Sequence, residues 1–103
     1  MLDLHLSRFQ TIGIETPSGD VEVSIVEVRP EANEADIEIT VPDGWSDAPP
    51  IEPTTYRLHQ EFAIGAPDGT IRLKVLRFRP RPDGGGGAVS LGIDAPRAWP
   101  ILR

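Results

Sequence analysis

Cysteine is absent from this chain of 103 residues, and aromatic side chains make up only 6 % of it. Without cysteine, the chain forms no disulfide and offers no thiolate to a metal. A hydrophobic content of 39 % suffices for a core, but no apolar run is long enough to span a membrane. Asp3, His5 and Arg8 interrupt the stretch in which a secretory signal needs apolar residues. We therefore expect a soluble, cytoplasmic protein with one compact domain.

Sustained helical spacing is missing as well, because apolar residues nowhere keep the period of a helix. The 11 prolines and 10 glycines instead cluster at short, regular intervals, which is typical of strands joined by turns. The glycine run at 84–87 is followed neither by Lys-Ser/Thr nor by a helical pattern. It therefore predicts a flexible hairpin tip rather than a phosphate-binding loop.

The titratable side chains show no pattern that catalysis or metal binding requires. His5 and His59 have no further ligands at metal-binding spacing, and no carboxylate stands in a motif with a base or nucleophile. We expect neither an enzyme nor a protein that carries a metal or another cofactor.

An internal repeat organises the chain. The segment 21–30 aligns with 71–80 so that apolar residues fall on apolar residues, and both segments end in Arg-Pro. Further along, 37–41 aligns with 89–93 after a two-residue insertion in the second copy. We define repeat one as residues 1–53 and repeat two as residues 54–103. Because units this small bury little surface alone, the repeats are predicted to share one core or to pair with a second chain.

Charge divides along the same boundary. The formal net charge is −6, but repeat one holds two cations and twelve carboxylates (−10), whereas repeat two holds eight cations and four carboxylates (+4). An acidic half and a basic half are therefore expected in one molecule.

The long strand of each repeat changes face partway along. Val21, Val23 and Ile25 alternate with polar residues, but the next apolar residues, Val26 and Val28, have the opposite parity. Repeat two shows the same change within 71–78. Such a shift predicts a bulge in a strongly bent sheet. The expected fold is all-β, a small bent sandwich or barrel formed by both repeats.

The end of the chain resembles a known family. The segment 89–103 reads Val-Ser-Leu-Gly-Ile-Asp-Ala-Pro-Arg-Ala-Trp-Pro-Ile-Leu-Arg, which is similar to the last two strands of the carbon storage regulator family, the Csr/Rsm translational regulators. The segment 56–65 resembles that family's first strand, turn and second strand. Repeat one opens on Met-Leu-Asp-Leu and keeps Ile12 and Ile14, but in this alignment it loses the Ala-Pro turn. It resembles a degenerate second copy.

This resemblance implies a fold, a ligand and a set of contact residues. The family unit has five strands and interlocks with a second identical chain, and each pair of units binds a GGA triplet in an RNA hairpin loop, usually over a ribosome-binding site. The tandem chain is thus expected to be a monomeric pseudo-dimer that binds mRNA leaders, and it implies no DNA or membrane partner. Arg103 is the expected guanidinium fork, and Trp99 or Tyr56 the stacking platform. The remaining expected RNA contacts are Leu4, Arg8, Arg57, Ile101 and Leu102.

Two RNA sites are expected, and neither is complete. Site one combines 99–103 with the first strand of repeat one, where Leu6 and Ser7 occupy the family's arginine positions and a two-residue slip brings in Arg8. Site two combines Tyr56 and Arg57 with 50–52, which puts Glu52 near an arginine position. We expect weak RNA binding at site one and none at site two.

Each sharp interpretation has a plainer alternative. Arg103 carries the chain's own carboxylate, so it is either an RNA contact or a solvated terminus. Trp45 and Trp99 are core anchors or base platforms. The cations of the long strand in repeat two are an RNA-binding stripe or a solvated face; they are Arg72, Lys74, Arg77, Arg79 and Arg81.

A different function is compatible with the same fold. The sequence pI is near 4.7, and a negative long-range field opposes binding to RNA phosphates. The chain is alternatively a protein-interaction or decoy module that keeps the fold and has lost RNA binding. In that case its acidic half occupies the basic face of another family member or regulatory protein.

Overall fold

The computed structural model describes residues 2–45, 52–80 and 87–102. Within these residues the secondary structure consists of strands and a single short 3-10 helix. The strands are β1 (Leu2–Ser7), β2 (Thr11–Thr16), β3 (Gly19–Arg29), β4 (Glu34–Thr40), β5 (Thr54–Arg57), β6 (Glu61–Ala66), β7 (Gly69–Arg79), β8 (Ala88–Asp94) and β9 (Ile101–Leu102), and the 3-10 helix is Pro30–Ala32. No helix in this part of the chain has the length and apolar character to cross a membrane.

The strands form two antiparallel sheets that pack face to face. Sheet A has the order β1-β8-β7-β6, and sheet B has the order β5-β4-β3-β2-β9. The predicted all-β sandwich is therefore confirmed. The barrel alternative is wrong, because the sheets stay separate and each one ends in edge strands.

Strands are exchanged between the two repeats. β1 belongs to repeat one but pairs with β8 of repeat two, from Leu2 opposite Ile93 to Ser7 opposite Ala88. In return, β5 and β9 of repeat two pair with β4 and β2 of repeat one. Each sheet thus contains strands from both halves of the chain. The repeats are intertwined within one polypeptide, as the resemblance implied.

One apolar core lies between the sheets. Because side chains alternate across a strand, every second residue of the central strands points inward and is buried. The largest fully buried side chains are Leu6, Ile12, Ile14, Val21, Ile25, Ile37, Ile39, Ile64, Ile71, Leu73, Leu91 and Ile93. Both repeats contribute to this set, so neither repeat has a core of its own.

The predicted change of face occurs in both long strands. The register of β3 against β4 shifts between Ile25 and Glu27, and that of β7 against β8 shifts between Val75 and Arg77. Val26 and Leu76 are the extra residues. These bulges explain why the apolar parity inverts at the same point of each repeat.

Strand pairing corrects the sequence alignment of the two repeats. The final pair of the β3–β4 ladder is Arg29 with Glu34, whereas that of the β7–β8 ladder is Arg79 with Ala88. Repeat two is therefore longer by four residues at this connection, not by two. Val41-Pro42 then falls on Ala95-Pro96, so repeat one keeps the turn that the shorter insertion had appeared to remove.

Local geometry supports the corrected alignment. A Cβ added to Gly19 would lie 2.6 Å from Pro42 Cγ, and one added to Gly69 would lie 3.3 Å from Pro96 Cγ. Each turn glycine is thus covered by the proline of its own repeat. The same spacing makes Trp45 the counterpart of Trp99, since each tryptophan follows its proline at the same distance in the sequence.

Equivalent turns meet where the two repeats face each other. The Ser18 hydroxyl donates a hydrogen bond to the Asp68 carboxylate, and these residues occupy the same position of the β2–β3 and β6–β7 turns. The β1–β2 and β5–β6 turns also repeat, with positive φ of 69° at Phe9 and 67° at His59. The backbone therefore has approximate twofold symmetry, as in a dimer of identical units.

Candidate functional site

Strand exchange brings the opening and closing strands of the chain to one side of the sandwich. β1 is an edge strand of sheet A, and β9 is an edge strand of sheet B. Between them lies a groove of about 270 Å³, which we call the edge groove. Its lining residues are Leu2, Ile93, Asp94, Ala95, Pro96, Arg97, Trp99 and Ile101.

The connection from β8 to β9 forms one wall of the edge groove. The Trp99 amide donates to the Pro96 carbonyl at 3.0 Å, which closes a tight turn. The Trp99 ring packs over Gly69, where an added Cβ would lie 3.2 Å from the ring. Beyond the turn, the Glu15 amide donates to the Pro100 carbonyl at 2.9 Å, so the closing segment is attached to β2.

Apolar side chains on both strands remain partly open to solvent. Leu2 is 46 % exposed and Leu102 is 50 % exposed, while Ile101 and Leu4 are half-buried. Ile101 pairs with Ile14 and Leu102 with Gly13, so β9 runs toward the turn between β1 and β2. Arg97 adds an exposed cation to the groove, and Asp94 adds an exposed carboxylate.

Trp99 belongs to the core more than to the surface. Its side chain is 7 % exposed although it lines the edge groove. The core-anchor interpretation describes it better than the platform interpretation. Trp45, its counterpart in repeat one, also packs against the core.

Arg8 lies in the turn that follows β1, at the end of that strand opposite Leu2. Its guanidinium is 3.5 Å from the Glu27 carboxylate, and its Cζ stands 4.5 Å from the centre of the exposed Phe9 ring. β1 pairs with β8 as β5 pairs with β4, and comparing the two registers makes Ser7 the counterpart of Arg57. Arg8 is then the counterpart of Leu58. The register between the repeats therefore gives Arg8 no arginine counterpart in repeat two, and its role as an RNA contact stays a prediction.

Tyr56 and Arg57 are placed apart from the edge groove. They lie on β5, at the opposite edge of sheet B from β9. The Tyr56 ring is only 5 % exposed and stacks on Phe62 with centroids 4.2 Å apart, and burial raises the pKa of its hydroxyl. Tyr56 is thus a core residue and not an open platform. Arg57 is exposed and pairs with Glu34 at 3.4 Å.

Four parts of the sequence prediction lie wholly or partly outside the described residues. They are the guanidinium fork Arg103, the last cation Arg81, residues 50 and 51 of the partner segment of site two, and residues 84–86 of the glycine run. Continuing the corrected alignment puts Pro49, and not Glu52, at the sequence position that matches Arg103.

The outer faces of the two sheets differ in charge, although Asp3, Glu61 and Asp94 accompany the cations of sheet A. The exposed cations of β7 point outward from sheet A, whereas the corresponding face of sheet B is acidic. The carboxylates of that acidic face are Glu15, Asp20, Glu22, Glu27, Glu34, Asp36 and Glu38. The acidic and basic halves of the sequence thus become opposite faces of one sandwich.

An ion network crosses the acidic face. Arg29 makes two hydrogen bonds to Asp36, at 2.8 and 3.0 Å, and also approaches Glu34 at 3.6 Å. These hydrogen bonds, together with one from Thr55, hold the pKa of Asp36 below its ordinary value. The bond to Asp36 also raises the pKa of Arg29.

Sequence reasoning missed the residues of the β8–β9 turn, above all Pro96 and Arg97. The spacing Pro-x-x-Trp occurs at Pro42 and again at Pro96, and this signal would have revealed both the turn and the true alignment. Among the described residues, no group of three or more His, Asp or Glu side chains gathers where a metal would bind.

Compared with known proteins, the chain matches no family model, no curated protein and no solved structure. The likeness to the carbon storage regulators thus rests on the sequence motifs alone.

Proposed function

We propose that the protein is a post-transcriptional regulator that binds single-stranded RNA in the edge groove, with GGA-containing hairpin loops as its preferred ligand. The observation that carries this proposal is the meeting of β1 and β9 at one side of the sandwich. The motifs at 89–103 and 56–65 supply the choice of RNA and of the triplet. Occupying a ribosome-binding site is the corresponding mechanism of repression, and it requires no cofactor or covalent step.

The edge groove has features that suit unpaired bases. Edge strands leave backbone donors and acceptors available, and splayed bases are read by hydrogen bonds of this kind. Leu2, Ile101 and Leu102 offer apolar contact to base faces, and Arg97 offers a guanidinium to a phosphate or a guanine edge. At site two the Tyr56 ring is buried and stacks on Phe62, so this ring is not open to a base.

A titration tests this function. A labelled hairpin with GGA in its loop is titrated at moderate salt with the wild type, with Arg103→Ala and with Leu102→Glu. Each substitution should weaken binding by about 1–3 kcal/mol, the usual cost of losing a specific contact. Glu22→Gln, on the outer face of sheet B, is the matched control and should bind at least as well as the wild type. The proposal would be refuted by a wild type that does not bind, or by Arg103→Ala and Leu102→Glu variants that bind like the control.

The acidic face supports a second function, docking on a basic protein. At least six carboxylates share that surface, and complementary charge favours association with a cationic partner. A carbon storage regulator protein is the probe, and complex formation is followed by size-exclusion chromatography. Glu22→Lys with Glu38→Lys should abolish the complex, while Leu102→Glu should leave it intact. A complex that survives the lysine substitutions would contradict this function.

A further inference from the structure

Four cations follow one another along the outer face of β7, and we call them the basic stripe. They are Arg72, Lys74, Arg77 and Arg79. Successive outward residues of a regular strand are about 7 Å apart, and the bulge at Leu76 adds one residue between Lys74 and Arg77, so the stripe is a row of two pairs of cations. Arg77 approaches Asp3 at 3.4 Å. For the other three cations, no carboxylate of the described residues lies within ion-pair distance.

The approximate twofold symmetry shows why Arg79 lacks such a partner. Its counterpart is Arg29, which is held by Asp36 and Glu34 in sheet B. In sheet A the positions of those two carboxylates are taken by Ser90 and Ala88. The Ser90 hydroxyl is instead hydrogen-bonded to His5 Nδ1 at 2.6 Å. Within the described residues, the matching positions of sheet A therefore offer the Arg79 guanidinium no carboxylate.

The strand beside the stripe carries no large outward side chain. The outward residues of β8 are Ala88, Ser90 and Gly92, all small, and Ser90 and Gly92 are buried among their neighbours. A second cavity, of about 250 Å³, is lined by Arg72 and Lys74 and also by the carboxylate residues Glu61 and Asp94. Asp94 lines both this cavity and the edge groove, so the stripe begins where the groove ends.

We infer that the basic stripe binds the phosphates of nucleotides that flank the segment held in the edge groove. One RNA strand then runs from the groove across the outer face of sheet A, from Arg72 toward Arg79. This inference rests on the proposed function, and it names a part of the ligand and a surface that the GGA triplet alone does not involve. Contacts of this kind add affinity without base preference, because they are made to the RNA backbone.

Two RNA probes distinguish binding at the basic stripe from binding in the edge groove. One is the bare GGA hairpin, and the other is the same hairpin with single-stranded tails on both sides. The wild type should bind the tailed RNA more tightly and with a steeper dependence on salt. In Lys74→Gln with Arg79→Gln, the slope of log affinity against log salt should fall by about 1.4 for the tailed RNA, since each lost phosphate contact on a single strand contributes about 0.7. The bare hairpin should be unaffected.

A single substitution tests the symmetry argument directly. Ala88→Glu gives Arg79 the carboxylate that Glu34 gives Arg29, without removing any cation. It should weaken binding of the tailed RNA and leave binding of the bare hairpin unchanged.

Thr11→Glu with Thr40→Glu is the matched control for Lys74→Gln with Arg79→Gln. It lowers the net charge by the same amount, but on the outer face of sheet B.

The outcomes distinguish the two proposals. If the wild type binds neither RNA, the proposed function and the stripe both fall. If it binds the bare hairpin and the tails add nothing, only the stripe falls. The stripe proposal is also refuted if the control variant loses as much affinity as the stripe variants, or if the stripe variants bind both RNAs equally weakly. In either case the overall electrostatic field of the protein, and not local phosphate contacts, would act on the RNA.

Discussion

The two sheets share one backbone plan and differ in what they present to solvent. Inward positions hold apolar residues in both sheets, as at Ile37 and its counterpart Leu91. Outward positions diverge, as where Glu22 of sheet B corresponds to Arg72 of sheet A. The inward positions of the strands therefore specify the fold. The outward positions are free to carry charge, and they make the two outer faces of a nearly symmetric molecule chemically different.

The comparison also separates stability from recognition. Exposed ion pairs each contribute about 1 kcal/mol or less, so the network around Arg29 is a small part of the folding free energy. The shared apolar core supplies most of it. Changes inside the sandwich are thus expected to affect both sheets together, and changes on its faces to affect one sheet at a time.

The largest effect is expected in the core. Ile37→Ala and Leu91→Ala truncate equivalent, fully buried side chains in opposite sheets. Each should lower the free energy of unfolding by about 2–5 kcal/mol, from lost transfer energy and the cavity that remains. Because strands are exchanged, denaturant unfolding followed by fluorescence and by circular dichroism should show one transition in both variants. Two separate transitions, one for each repeat, would contradict the single core.

A smaller and unequal effect is expected at the turn glycines. Gly19 has a φ of +127° and an added Cβ would lie 2.6 Å from Pro42, so Gly19→Ala meets both backbone strain and a clash. It should lower the free energy of unfolding by about 1–3 kcal/mol. At Gly69 the nearest atom would lie 3.2 Å away, on the Trp99 ring, and Gly69→Ala should be milder. Thermal melts of the two variants compare these costs, and equal costs would show that the turns are not distinguished by their glycine geometry.

Much of the fold was accessible from the sequence because it depends on local alternation. The period of the apolar residues predicted the strands, and the change of parity predicted both bulges, at Val26 and Leu76. The alignment of β4 with β8 failed because strands of period two match equally well when shifted by two residues. The pairing of Arg79 with Ala88 decided between the two alignments, in agreement with the Pro-x-x-Trp spacing of both repeats.

The site was less accessible, since it depends on packing between segments distant in the sequence. The motif at 89–103 pointed to the closing strand, and the structure brings that strand to the opening one. Nothing local showed that the Tyr56 ring would stack on Phe62. Nor did the sequence show that, within the described residues, Arg79 has no carboxylate partner, because it differs from Arg29 through Ser90 and Ala88 on a neighbouring strand.

The smallest effect is expected at the network of the acidic face, and it depends on pH. The hydrogen bond from Arg29, and then that from Thr55, lower the pKa of Asp36. A carboxyl whose pKa is lower in the folded than in the unfolded state stabilises the fold above about pH 4, and this stabilisation disappears as the pH falls through the folded value. Asp36→Asn should therefore cost about 1 kcal/mol at neutral pH and almost nothing in strong acid.

Urea denaturation across the acid range measures that difference. Glu38→Gln is the matched control, because Glu38 lies on the same face of β4 and forms no ion pair within the described residues. Its free energy of unfolding should differ little from that of the wild type at any pH. Were the cost of Asp36→Asn the same at every pH, the loss would come from side-chain geometry, and charge would not be what distinguishes Asp36 from its counterpart Ser90.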